Sequence, residues 1–223
     1  MIHGLSFKEY VEEEKAKFGE MTAAEKKDYF KEYYLKQCIF AFIILILLIW
    51  FLVDISVNFK HTVCSGGVIN TKISEEGAGF LKEDYLKLLN KKTFTNKVDL
   101  ATDIFLDKEE PQTYTVFQAE LAINSYNYLI TDKNGLDFIL STECLADMGT
   151  VLDEDLKKTV GDKIVRGELG ESKKEIEAAI DITDTAFVKE YITSGDKVYF
   201  VITGKEDEYN LGLDVLRYIL NKK

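Results

Sequence analysis

The sequence predicts an α/β protein: a single membrane-crossing helix followed by one extracytoplasmic domain whose mixed, mostly parallel sheet is flanked by helices. Three observations carry this expectation. Cys38 to Val53 is an unbroken apolar run of 16 residues. From Val68 onward, strand-like and helix-like stretches alternate, the pattern that builds layered α/β folds. Roughly 160 residues follow the apolar run, enough for one domain with a real core.

The N-terminal arm, residues 1–36, carries two helix starts. Ser6-Phe7-Lys8-Glu9 and Thr22-Ala23-Ala24-Glu25 both match the capping box S/T-x-x-E, and Gly19 is the expected break between the two helices. Tyr29, Phe30, Tyr33 and Tyr34 form an aromatic stripe on the second. The stripe has two readings, a docking face for a cytoplasmic partner and rings resting among inner headgroups.

The second segment, residues 37–57, is the expected span. Leu35 to Val57, at about 1.5 Å rise per residue, crosses a hydrocarbon core of about 30 Å. A soluble core helix would need a polar face, which this stretch lacks. The run is preceded by 37 residues and followed by no A-x-A site, so it reads as an uncleaved signal anchor. Cys64-Ser65-Gly66-Gly67 faintly resembles a lipoprotein start, but His61-Thr62-Val63 is a poor lipobox. Lys17, Lys26, Lys27, Lys31 and Lys36 precede the span closely, against Lys60 and Lys72 after it. The positive-inside rule then leaves the N-terminus in the cytoplasm and the larger domain outside.

In the third segment, residues 58–223, the elements follow in order. Val68 to Ile73 is strand-like. Ser74 caps a helix bearing Phe80, Leu81, Tyr85, Leu88 and Leu89. Val98 to Leu106 alternates Val98, Leu100, Thr102, Ile104 and Leu106 on one face of a strand. Pro111 separates that strand from a helix begun by Thr113 or Thr115, with Phe117, Leu121 and the smaller Ala122. Tyr126 to Thr131 is a buried strand, and Lys133-Asn134-Gly135 gives a turn signal before a helix from Leu136. Asp153 to Val160 is an acid-capped helix. Ala178 to Ile182 and Lys197 to Thr203 are further strands, and Glu206 to Asn221 is a final amphipathic helix.

Charge and side-chain chemistry narrow the function classes. Net charge is −11, and the residues after position 60 hold 20 basic and 30 acidic groups. Such a field repels phosphate backbones, so nucleic acid is not expected as a partner. Cys38, Cys64 and Cys144 lack C-x-x-C spacing, and the histidines are His3 and His61, which argues against a Cys/His zinc site. Cys64 and Cys144 share the outer domain, and both a bridge and two separate thiols fit their spacing. No dinucleotide, phosphate-loop, nucleophile-elbow or metalloprotease motif is present. Carboxylates cluster at Asp103 and Asp107 and at Asp153, Glu154 and Asp155; a glycosidase would need two of them about 5–10 Å apart across a cleft. Asp132, Asp181 and Asp184 fall near predicted strand ends, where α/β folds place ligand groups, and where turns and helix caps also want aspartate. No catalytic residue, cofactor or metal ligand is assigned, and the chain is read as a non-enzyme.

Three stretches together resemble the extracellular solute-binding proteins of bacterial uptake systems. Gln118 to Leu152, QAELAINSYNYLITDKNGLDFILSTECLADMGTVL, is similar to their helix leading into a strand that ends in aspartate. Lys197 to Leu220, KVYFVITGKEDEYNLGLDVLRYIL, is similar to a late strand and helix, and Ala179 to Phe187, AIDITDTAF, to the phrase before it. The arm and span resemble those of Gram-positive membrane proteins. The likeness implies a reduced, membrane-tethered binding domain acting in surface binding or sensing. Its expected partners are the lipid bilayer and a small solute or protein at the outer domain; it carries over no ligand residue. The competing expectation is an envelope assembly protein that docks on protein partners.

Overall fold

The computed structural model describes residues 6–58, 60–107, 109–193 and 197–222. Two compact units divide the chain, residues 1–58 and 59–223.

In the first unit both capping boxes form as spelled. The Ser6 and Thr22 hydroxyls accept from the Glu9 and Glu25 amides, and those glutamates reach back to the cap N–H groups. Helix α1 (Phe7–Glu20) runs through Gly19 and stops at Met21, whose extended backbone ends it. Helix α2 (Ala23–Tyr29) continues through a π-turn (Phe30–Tyr34) into α3 (Leu35–Asn58). The i→i+5 turn brings residues five apart onto one side, so Tyr29 and Tyr34 both donate to the Glu14 carboxylate on α1. Phe18 meets the Tyr29 ring edge-on at 5.5 Å. Half of the aromatic stripe therefore folds α1 back on α2, while Phe30 and Tyr33 stay exposed. Residues 35–54 of α3 are exposed throughout.

The second unit is a six-stranded sheet in the order β3-β1-β4-β8-β6-β5, with helices on both faces. Strands β1 (His61–Ile69), β3 (Asn96–Ile104) and β4 (Tyr128–Thr131) are mutually parallel. Strands β8 (Tyr199–Ile202), β6 (Glu175–Asp181) and β5 (Ile164–Glu168) join antiparallel. The sheet is thus mixed, and its parallel character is confined to three strands. A small separate ladder pairs β2 (Lys72–Ile73) with β7 (Ile192–Thr193).

One face carries α4 (Glu75–Gly79), a second π-turn (Phe80–Asp84), α5 (Tyr85–Leu88), α8 (Met148–Val151), α9 (Glu154–Val160), α10 (Ala186–Tyr191) and α11 (Tyr209–Leu220). The other carries α6 (Pro111–Ala122) and α7 (Lys133–Thr142). Strand β4 supplies both cores by alternation: Tyr128 and Ile130 point to the first, Leu129 to the second. Cys64 packs in the first core and Cys144 against the second. The sheet stands between them, and all three cysteines are free thiols.

Several sequence expectations shift for physical reasons. The first strand begins at His61 rather than Val68, because Gly66 and Gly67 are strand residues. Tyr128 lies over Gly66, where a β-carbon would run into its ring, and Leu129 crowds Gly67. Pro111 is the first residue of α6 rather than a separator, since its missing N–H is no loss there. Lys133-Asn134-Gly135 forms the opening turn of α7, because the Asp132 carboxylate caps the Gly135 amide. Along β3, a bulge opposite Val68 adds one residue between Ala101 and Ile104. Residue parity flips there, so Val98 and Leu100 enter one core while Ile104 and Leu106 pack on the other.

Candidate functional site

Four of the acidic candidates, Asp132, Asp181, Asp153 and Asp107, go to capping and turn duties. Asp132 is buried at the carboxyl ends of β1 and β4, where crossovers leave in opposite directions and α/β folds place ligands. Its Oδ1 accepts from the Gly135 amide at 2.8 Å and from Asn70 Nδ2 at 3.1 Å. Asn70, in the left-handed region at φ 55°, turns the chain out of β1 and accepts from the Leu106 amide. Beside them the Thr71 and Thr131 hydroxyls are buried without a hydrogen-bond partner among the described residues, and Thr131 packs directly on Gly135.

Asp181 accepts from the Thr183 amide and hydroxyl and pairs with Lys197 at 3.0 Å. Burial works to raise its carboxyl, but the Thr183 bonds and the Lys197 ammonium outweigh it and hold it below the usual range. Asp184 meets Lys189 at the surface. Asp153 caps α9 through the Leu156 amide and also binds Arg217; those two contacts lower its carboxyl. Glu154 and Asp155 are exposed in the first turn of α9. Asp107 closes a local turn on the Glu109 amide, while Asp103 faces a groove without it. His61 is exposed, its Nδ1 2.8 Å from the Thr62 carbonyl. Burial pushes the Cys64 thiol up to about 12, which makes it a core group and not a nucleophile. Among the described residues no group of three or more His, Cys, Asp or Glu is placed to hold a metal ion; His3 lies outside them.

The concave site with the most ligand-like chemistry was not singled out by motif. It is a cleft of about 510 Å³ between the α4–α5 segment and α11, within the size range of small-molecule sites. Its floor is aromatic. Phe80 stacks on Tyr218 at 4.3 Å between ring centroids, and Tyr85 meets the same Tyr218 at 5.4 Å. Phe80 and Tyr85 are five residues apart, a spacing that diverges on an α-helix and converges across the π-turn. Leu88, 60% exposed, and Leu89 form an aliphatic wall.

Polar groups ring this floor. Arg217 is held by Asp153 and Asp214. Lys222 lies over the Tyr191 ring at 4.4 Å and the Phe80 ring at 5.4 Å, and pairs with Glu190 at 2.9 Å. The Glu190 contact raises the lysine and lowers the glutamate. Burial raises the Tyr85 and Tyr218 hydroxyls, keeping both neutral donors. The arrangement offers a slot of planar and aliphatic side chains, with Asp214, Arg217, Asn221 and Lys222 also in its lining. It suits a molecule with a flat or aliphatic body and one polar end.

A second depression, about 340 Å³, lies beside the end of β3 and the first turns of α6, with Asp103, Glu110 and Glu120 at its edge. A third, about 510 Å³, is polar and wide, lined by Asp147, Lys157, Arg166, Glu175 and Glu177. Comparison with protein-family models, curated proteins and solved structures gave no match to this chain.

Proposed function

We propose that the chain is a single-pass membrane protein whose α/β domain stands outside the cell as a non-catalytic binding or sensing module, with the α5–α11 cleft as its solute site. The observation that carries the reading is α3: 24 residues long, about 36 Å at helical rise, with every large apolar side chain from Ile39 to Val53 exposed. Each such side chain gains roughly 1.5–3 kcal/mol on leaving water, so the helix as a whole favours lipid strongly. The lysine excess before it supports an inward N-terminus. A cleft of ordinary ligand size with an aromatic floor supports capture of a small apolar molecule bearing one polar group. The likeness to solute-binding proteins points the same way, in a one-lobed form.

Protease treatment of intact cells tests topology and capture together. Added protease is expected to digest the C-terminal domain without lysis. One class from a panel of sugars, amino acids, short peptides and apolar carboxylates is expected to slow that digestion, and Leu88→Arg to remove the protection. A domain cut only after lysis refutes the outward placement. A cleavage rate unmoved by every class refutes solute capture, since a bound ligand stabilises by RT ln(1 + [L]/Kd).

A second reading, docking on envelope proteins, is favoured by exposed aliphatic side chains on α6 and its cap, Val116 at 60% and Ile123 at 74%.

A further inference from the structure

The groove beside α6 has a chemistry unlike that of the solute cleft. Ile104 and the buried Phe117 form its base, and Phe105 and Val116 stand on its sides 46% and 60% exposed. Asp103, Glu110 and Glu120 ring it, and no lysine or arginine lines it among the described residues. Glu120 is held in place by the Tyr126 hydroxyl. Val116, Glu120 and Ile123 recur at helical spacing, so Glu120 lies between two exposed aliphatic side chains on one face of α6 and its cap. The groove also adjoins the open edge of the sheet, because β3 is paired with β1 on one side only.

We infer that this groove docks a lysine- or arginine-rich segment of a protein partner, one whose basic side chains flank a single aliphatic or aromatic anchor. The anchor enters between Phe105 and Val116, and the flanking cations meet Asp103, Glu110 and Glu120. Charge complementarity selects the occupant. Three carboxylates around a small apolar base repel anionic lipid and acidic peptides, and isolated apolar solutes gain nothing from the rim. The negative field of the whole outer domain adds long-range attraction for the same class of partner. The inference rests on the docking reading above, and the solute cleft stands or falls separately because its probes are different.

Fluorescence anisotropy of the full-length protein in phosphatidylcholine nanodiscs tests it, with labelled ten-residue peptides. The probe alternates lysines around a central phenylalanine; controls replace the phenylalanine with serine, or the lysines with glutamate. The lysine–phenylalanine peptide is expected to bind and to weaken steeply with salt. Asp103→Lys/Glu110→Lys should reduce its affinity at least tenfold, and Val116→Ser severalfold. The charge-matched control Glu206→Lys/Asp207→Lys, outside the residues that line the groove, should leave it within twofold. All five substituted side chains are solvent-facing, and unchanged thermal unfolding certifies each variant. The groove assignment is overturned if no peptide binds. It is equally overturned if the serine control binds as well as the probe, or if both charge-reversal variants weaken binding alike. In that last case docking would survive and only its location would be lost.

Discussion

Tyr128 fills the space that Gly66 leaves, and this pair explains a sequence feature that looks out of place in a strand. The ring stacks on Phe200 at 5.4 Å, and its hydroxyl is buried without a hydrogen-bond partner among the described residues. Burial accordingly pushes the phenol far above its ordinary range. A buried hydroxyl left unpaired costs about 1–3 kcal/mol. Tyr128→Phe is therefore expected to leave Tm unchanged or raise it, while Gly66→Ala should lower stability by about 1–3 kcal/mol or more through overpacking. Urea unfolding of both variants checks the pair. A clear loss in Tyr128→Phe would mean that the hydroxyl is bonded after all, and a neutral Gly66→Ala would mean that the ring moves freely. The same residue-scale logic accounts for the asparagines at 70, 90 and 124, each in the left-handed region at the end of a strand or helix. Asparagine tolerates that conformation better than most residues.

Among the elements, the two π-turns do parallel work, bringing Tyr29 with Tyr34 and Phe80 with Tyr85 onto common targets. In the arm the target is Glu14, whose carboxyl is lowered first by the Tyr34 hydroxyl and next by Lys17, against some desolvation. A 14-residue helix is marginal by itself in water, so α1 depends on that tie and on the Phe18–Tyr29 contact. Glu14→Ala is expected to release α1 and bring its amides to near-unfolded hydrogen-exchange rates while α3 stays protected. Retained protection in α1 would show that its caps suffice. Elements with a local signature were legible in the sequence: Ser6, Thr22, Ser74 and Asp153 each cap the helix they announce. Elements without one were not. Strand β5 is half-exposed and short, and α10 rests on Thr185 with one turn and a half of helix. The cleft was illegible for a different reason. Its floor joins Phe80 and Tyr85 to Tyr218, more than a hundred residues later, and depends on a helical irregularity that periodicity averages away. The bulge in β3 defeated the alternation rule in the same manner, by shifting parity after Ala101.

For the whole molecule, charge sets the response to pH. The net charge is −11 near neutrality and the isoelectric point about 4.8. Acidification first relieves self-repulsion, which favours the compact state. It then meets carboxylates that the fold holds below their usual range: Asp153 and Asp181 through their hydrogen bonds and cations, Glu143 through the Ser172 and Glu171 amides, and Glu190 through Lys222. A group whose folded pKa lies under its unfolded value, about 3.9 for aspartate and 4.3 for glutamate, contributes stability that is complete above the unfolded value. That contribution disappears as pH falls through the folded one. Tm is therefore expected to rise gently from pH 8 toward pH 5 and to fall below about pH 4, with the decline steeper than the rise. Ion pairs as exposed as Lys87–Asp84 and Lys158–Asp155 add little to either limb. Replacing Asp181 with asparagine removes one of the depressed carboxylates together with its hold on Lys197 and should flatten the acid limb while lowering Tm at pH 7. Scanning calorimetry of both proteins from pH 3 to 8 decides the matter. A wild-type Tm still rising below pH 4, where the molecule is past its isoelectric point and gaining positive charge, would mean that the fold draws no net stability from these acids.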